Sequence, residues 1–181
     1  MRYLLFGAPA PAYKVAVLIK TAAFTAHALQ EHYVHPLHAA GIPADTVIGY
    51  TLIYDEHGKC TAKQAKEYLA TLLPVLVSMG TEVLYVCDSA YFKILTKQTK
   101  ADPHSGYVLP CAIAGFEHLQ GVLGVNYQQL FYNPDLQTKV HAGLAAVSHW
   151  LHGTYTPPGT NILHHVSYPD TVADIRHTLQ Q

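Results

Sequence analysis

The sequence predicts an α/β fold of three layers, α/β/α, around a small and mostly parallel central sheet. Three observations carry this. Short runs rich in apolar and β-branched residues recur at residues 2–7, 47–54 and 82–87. Longer stretches with apolar residues at helical spacing separate them, the alternation that favours βαβ crossovers. No repeat, low-complexity segment or internal linker interrupts the chain, so residues 1–181 read as one domain.

Taken in order, residues 2–7 read as a buried strand that feeds the tight loop Gly7-Ala8-Pro9-Ala10-Pro11. Residues 13–40 read as helix, with Val17, Ala22, Phe24, Leu29, Val34 and Leu37 as its apolar positions and a break near Thr25. Pro36 and then Gly41-Ile42-Pro43 disturb and end it. Residues 47–54 (VIGYTLIY) form a strand that closes on the turn Asp55-Glu56-His57-Gly58. Residues 61–79 give the strongest helix, N-capped by Thr61, with Ala65, Leu69, Leu72, Leu73 and Leu76 on one face. Pro74 kinks its last turns and Gly80 ends it.

Residues 82–87 (EVLYVC) are the next strand, and Asp88 caps a helix that runs to about Lys97. Residues 108–113 and 121–127 are shorter strand candidates. Residues 134–152 carry Val140, Leu144, Val147 and Leu151 at helical spacing. Residues 161–166 and 170–179 read as a last strand and helix. Runs apolar throughout belong in the middle of a parallel sheet, which assigns its centre to residues 4–6, 48–53 and 83–86.

Half of the residues are hydrophobic and only 13% are charged, against roughly 25% in ordinary soluble domains. Such a chain either buries an unusual share of its surface or keeps an apolar face for a partner, which could be a second copy. Eleven basic and twelve acidic residues give a formal net charge of −1. That excludes strong sequence-independent nucleic-acid binding, which needs clustered cations to displace counterions. The densest basic group, Lys93, Lys97 and Lys100, shares one helical face and allows a weak, salt-dependent phosphate contact.

Three cysteines, Cys60, Cys87 and Cys111, form no CxxC pair and read as reduced thiols of a cytoplasm. The N-terminus lacks the apolar length of a signal peptide, and no stretch approaches a membrane span. Thirteen histidines are present, four of them at His27, His32, His35 and His38. Pro36 disturbs their register and Glu31 does not share the face of the last three, so no zinc site and no cofactor is expected. His164 and His165 would point to opposite faces of a strand.

Ligands of an open parallel sheet bind at the carboxyl ends of its strands. Gly7 and Pro9, Asp88, and Asn126 with Tyr127 are the crevice candidates on that rule. The first loop matches neither GxGxxG nor a phosphate loop. Asp88 could orient a water, although capping its helix accounts for it as well. Asn126 could read a base edge with Tyr127 stacked on it. No GxSxG elbow or HExxH motif declares an enzyme.

Two resemblances add to this. The stretch LLFGAPAP (residues 4–11), the helix end LLPVLVSMG (72–80) and GVNYQQLFYNPDLQTKVHAGLAAV (124–147) together resemble divergent uracil-DNA glycosylases. That resemblance implies a uracil-DNA-glycosylase-like fold. Ala8 and Ala10 stand where the family's first motif supplies a water-placing group, and Asn126 replaces the histidine of its last motif. The implied domain therefore lacks the excision machinery. Residues 87–118 and NYQQLFYNP (126–134) are similar to the N-terminal region of bacteriophage family A DNA polymerases. This implies a leading or accessory domain acting in viral DNA replication, in the cytoplasm of an infected bacterium. Its partners would be polymerase and exonuclease domains or other replication proteins, with weak DNA contact. The other readings are a divergent glycosylase-like enzyme or nuclease, and a self-associating structural domain.

Overall fold

The computed structural model describes residues 1–160. Its sheet is mixed and has six strands: β1 (Tyr3–Leu5), β2 (Val15–Lys20), β3 (Val47–Leu52), β4 (Val83–Val86), β5 (Val108–Pro110) and β6 (Gln120–Leu123). They lie in the order β1–β3–β2–β4–β6–β5. The inner four run parallel, while β1 and β5 pair antiparallel at the two edges.

The central strand β2, VAVLIK, is buried on both faces through Ile19. Its alternate residues divide the interior. Val15, Val17 and Ile19 enter a core with Leu29, Tyr33, Leu37, Val140, Leu144 and Val147. Ala16 and Leu18 enter a second core with Leu69, Leu72, Leu76, Phe92 and Leu95. Each fully buried Val, Leu or Ile contributes about 1.5–3 kcal/mol of transfer free energy, which is why the register of this strand is fixed.

Helices cover both faces. On one lie α1 (Ala26–Leu29), a π-helical turn (Gln30–Val34), α2 (His35–Ala39) and α5 (Gln137–Leu151); on the other lie α3 (Ala62–Ser78) and α4 (Ser89–Thr96). The split follows from right-handed crossovers. From β2 the chain steps one way to β3 through α1 and α2. It then returns past β2 to β4 through α3, and continues to β6 past α4, so these two helices fall on the opposite face. The direction reverses between β2 and β4, and that reversal opens a crevice at the carboxyl ends of the strands.

Several local expectations change. Residues 15–20 are the central strand and not the start of a long helix. A six-residue apolar run cannot be told from buried helix by periodicity, and the alanines after it blur the boundary. Residues 4–6 are not in the sheet's centre, because β1 is a half-exposed antiparallel edge. The assignments at 48–53 and 83–86 match β3 and β4 to within a residue, and both strands are central. Thr61 caps α3 in a capping box with Gln64, and Asp88 caps α4. The π-helical turn precedes Pro36, whose ring would clash with the carbonyl of His32 in a regular α-helix; the wider turn relieves that contact. The expected elements at 161–166 and 170–179, with His164 and His165, lie outside the described residues.

Candidate functional site

The crevice at the reversal point is a cleft of about 860 Å³. Its floor is made by the ends of three parallel strands and the residues just beyond them: Lys20 closing β2, Cys87 and Asp88 after β4, and Leu123 to Asn126 at and after the end of β6. Gln128, Gln129, Phe131, Tyr132 and Asn133 form one wall. Ser89, Asp102, Ser105 and Lys139 complete the lining, and Lys139 Nζ reaches Asp102 Oδ1 at 3.3 Å.

Asp88 is held from two sides. Its Oδ1 accepts the Tyr91 N–H at 2.8 Å, and its Oδ2 accepts the Tyr54 hydroxyl. Burial, then this bond to Asp88, pushes the Tyr54 hydroxyl well above its usual pKa. Burial likewise raises the Cys87 thiol, so it stays protonated and is no nucleophile.

Asn126 is 6% exposed and lines the cleft. Its Oδ1 accepts the Gln128 N–H at 3.0 Å, and its Nδ2 has no hydrogen-bond partner among the described residues. The amide therefore offers an unused donor to the cleft. Gln128 Nε2 donates to Ala22 O at 3.3 Å, which ties this wall to the loop after β2. The backbone on either side of Asn126 is pinned by one hydroxyl. Tyr33 OH donates to Val125 O at 2.6 Å and accepts the Tyr127 N–H at 2.8 Å. The π-helical turn carries Tyr33, so the irregularity forced by Pro36 lies directly behind the site. Gly124 brings the floor close to the core, where a Cβ would meet the Tyr85 ring at 2.6 Å and Cys87 Sγ at 2.9 Å.

Two aromatic side chains stand in the open. Phe131 is 76% and Tyr132 91% exposed, adjacent on the wall beyond Asn126. Exposed neighbouring rings beside a polar cleft provide faces on which planar groups stack. Lys20, at the end of β2, forms no ion pair among the described residues.

Of the residues singled out by sequence, Asp88 and Asn126 come together in the cleft. Tyr127 does not line it: it is buried, with its ring stacked on His32 at 4.7 Å and 8°. Gly7 and Pro9 are at the wrong end. Because β1 runs antiparallel, its loop emerges at the amino end of the parallel strands, where Gly7 abuts Asp45 just before β3. Lys93 and Lys97 line a separate groove between α3 and α4, together with Lys66, and Lys100 lines neither. Among the described residues no three His, Cys, Asp or Glu side chains converge as a metal site. His27 pairs with Glu31 at 3.5 Å.

Sequence reasoning missed Lys20, hidden by the misread strand, and the Phe131–Tyr132 pair, whose exposure no local pattern records. No helix of the described residues is long and apolar enough to cross a membrane. Neither a family model nor a curated protein matches this sequence.

Proposed function

We propose that this chain is a non-catalytic accessory domain of a bacteriophage DNA polymerase of family A, acting in viral DNA replication in the host cytoplasm. Its fold would be a degenerate version of the uracil-DNA glycosylase architecture. Its carboxyl-end cleft would hold an unpaired stretch of the template strand. The observation that carries this reading is the exposed Phe131–Tyr132 pair beside the unpartnered Asn126 amide and Lys20. Stacking faces, a base-edge donor and a phosphate partner are the three elements of single-strand binding, and here they share one cleft.

The engagement of the cleft's two carboxylates supports the non-catalytic part, Asp102 being paired with Lys139. Both oxygens of Asp88 already accept hydrogen bonds, and Cys87 is held as a thiol. With the first parallel strand now β2, the loop that leaves it is Lys20-Thr21-Ala22-Ala23, again without an acid. A glycosylase must stabilise charge as the glycosidic bond breaks, and neither loop offers a carboxylate for that. Docking to a larger body has support at the opposite edge of the sheet. Met1, Tyr3, Leu5 and Ile53 are exposed apolar side chains beside β1.

Fluorescence anisotropy with a single-stranded and a duplex oligonucleotide tests the reading. Weak, salt-sensitive binding should favour the single strand, with no time-dependent abasic-site formation in uracil-containing DNA. Replacing both Phe131 and Tyr132 by Ala should weaken single-strand binding by a factor of about thirty or more, from about 1–3 kcal/mol per stacked base. Binding unchanged in that variant, or uracil excision, would overturn it.

A further inference from the structure

The groove between α3 and α4 has a volume of about 540 Å³, within the roughly 300–1,000 Å³ of small-molecule sites. Its floor is apolar, built by Ala62 and Ala65 of α3 and by Ala90 and Ile94 of α4. Three lysines rim it: Lys66 from α3, Lys93 from α4 and Lys97 at the end of α4. Among the described residues no acidic side chain lines it. None of the three lysines forms an ion pair among the described residues, although Lys63, one turn before Glu67 on the same helix, does. Lys93 is half-buried where it lines the groove.

The third lysine is held in an unusual way. Lys97 has φ 56° and ψ 32°, the left-handed conformation in which helices commonly end on glycine. Among the described residues it is the one non-glycine residue with positive φ. The chain thus directs a cation to the groove's mouth at a position where glycine would be less strained.

We propose that this groove binds a nucleoside phosphate bearing a phosphomonoester or diphosphate. Charge selects that class. A phosphodiester carries one negative charge per phosphate, whereas a phosphomonoester carries about 1.5 to 2 at neutral pH and a diphosphate more, a better match to three lysines around one groove. Ala62, Ala65, Ala90 and Ile94 supply apolar surface for the rest of the molecule. The site stands apart from the carboxyl-end cleft: the hydrogen bond from Tyr54 to Asp88 lies between them, with Tyr54 lining the groove and Asp88 the cleft. It therefore does not depend on single-strand binding there.

Calorimetric titration of the full chain with ADP, adenosine and inorganic phosphate decides this. ADP should bind, adenosine should not, and inorganic phosphate should bind more weakly than ADP and compete with it. The triple variant Lys66→Gln, Lys93→Gln, Lys97→Gln should weaken ADP about tenfold or more, as expected when several concerted ion pairs are lost. Lys97→Gly separates binding from folding, since glycine relieves the left-handed backbone. It should raise the melting temperature by about 3 °C while weakening ADP severalfold. The Phe131→Ala, Tyr132→Ala variant should bind ADP as the parent does. Absence of ADP binding, equal binding of adenosine, or ADP binding unchanged in the triple variant would overturn the proposal. So would lysine replacement that weakens an oligonucleotide in a protein that ignores ADP, because the groove would then track a phosphodiester backbone.

Discussion

At the amino end of the parallel strands, several polar and small residues are engaged in contacts, although the buried Thr81 hydroxyl has no hydrogen-bond partner among the described residues. Lys14 pairs with Glu82, the Tyr13 N–H donates to Met79 O at 2.9 Å, and Gly7 and Gly80 pack against Asp45 and Ala12. At the carboxyl end, among the described residues, the same strands finish with Lys20 in no ion pair, the Asn126 amide N–H without a partner and two aromatic rings in solvent. The strands are apolar through most of their length, with Gln120 opening β6 at one end and Lys20 closing β2 at the other, so strand composition does not decide which end is closed. The difference comes from the connections on either side: tight turns into β2, β3 and β4 at one end, and a reversal of crossover direction at the other. It teaches that the open end is set by topology and then furnished by loop residues.

Behind the open end lies a second contrast. Tyr33 and Tyr85 are buried with Cys87 beneath the cleft floor, their rings 5.5 Å apart. Burial, reinforced by these neighbours, raises both hydroxyls well above their ordinary value. The sign is direct: above about pH 10 the unfolded tyrosines lose protons that the folded ones keep, so stability is full below that pH and falls as pH rises. At up to about 1.4 kcal/mol per pH unit for each such group, Tyr33 and Tyr85 together should remove about 3 kcal/mol per unit above pH 10 in chemical denaturation from pH 9 to 11, and the raised Tyr54, Tyr68 and Tyr91 hydroxyls and Cys87 thiol steepen the loss. A stability flat through pH 11 would mean the cleft floor is wet.

Tyr33→Phe sharpens the same contrast with a smaller effect. It removes the hydroxyl that bridges Val125 O and Tyr127 N, leaving two buried groups unpaired at a cost of about 2 kcal/mol at pH 7. It should also lower the alkaline slope by one tyrosine's share, about 1.4 kcal/mol per pH unit. Urea unfolding at two pH values measures both. Loss of stability without loss of slope would assign the alkaline effect to other tyrosines.

Much of this was legible from residues alone, and the gaps have physical causes. The capped helices could be read because Thr61–Gln64 and Asp88 satisfy orphan N–H groups by local rules. Asp88 and Asn126 could be placed at strand ends because β4 and β6 are short apolar runs with polar residues just beyond them. Gly7 and Pro9 were misplaced through a single error in order: with β2 read as helix, β1 became the first parallel strand and its loop moved to the wrong end of the sheet. Lys66 escaped because it meets Lys93 and Lys97 only when α3 packs beside α4. The π-helical turn left one trace, Pro36, whose effect on Tyr33 depends on a backbone 92 residues away.

The central claim is that function resides at the carboxyl end of the sheet. Amide chemical-shift mapping on the full chain, titrated with a short single-stranded oligonucleotide, tests it most directly. Shifts are expected at Lys20, Asp88, Gly124 to Asn126 and Gln128 to Asn133, with Gly7, Asp45 and Gly80 unmoved. Shifts confined to the Gly7 loop and its neighbours at the amino end would contradict it.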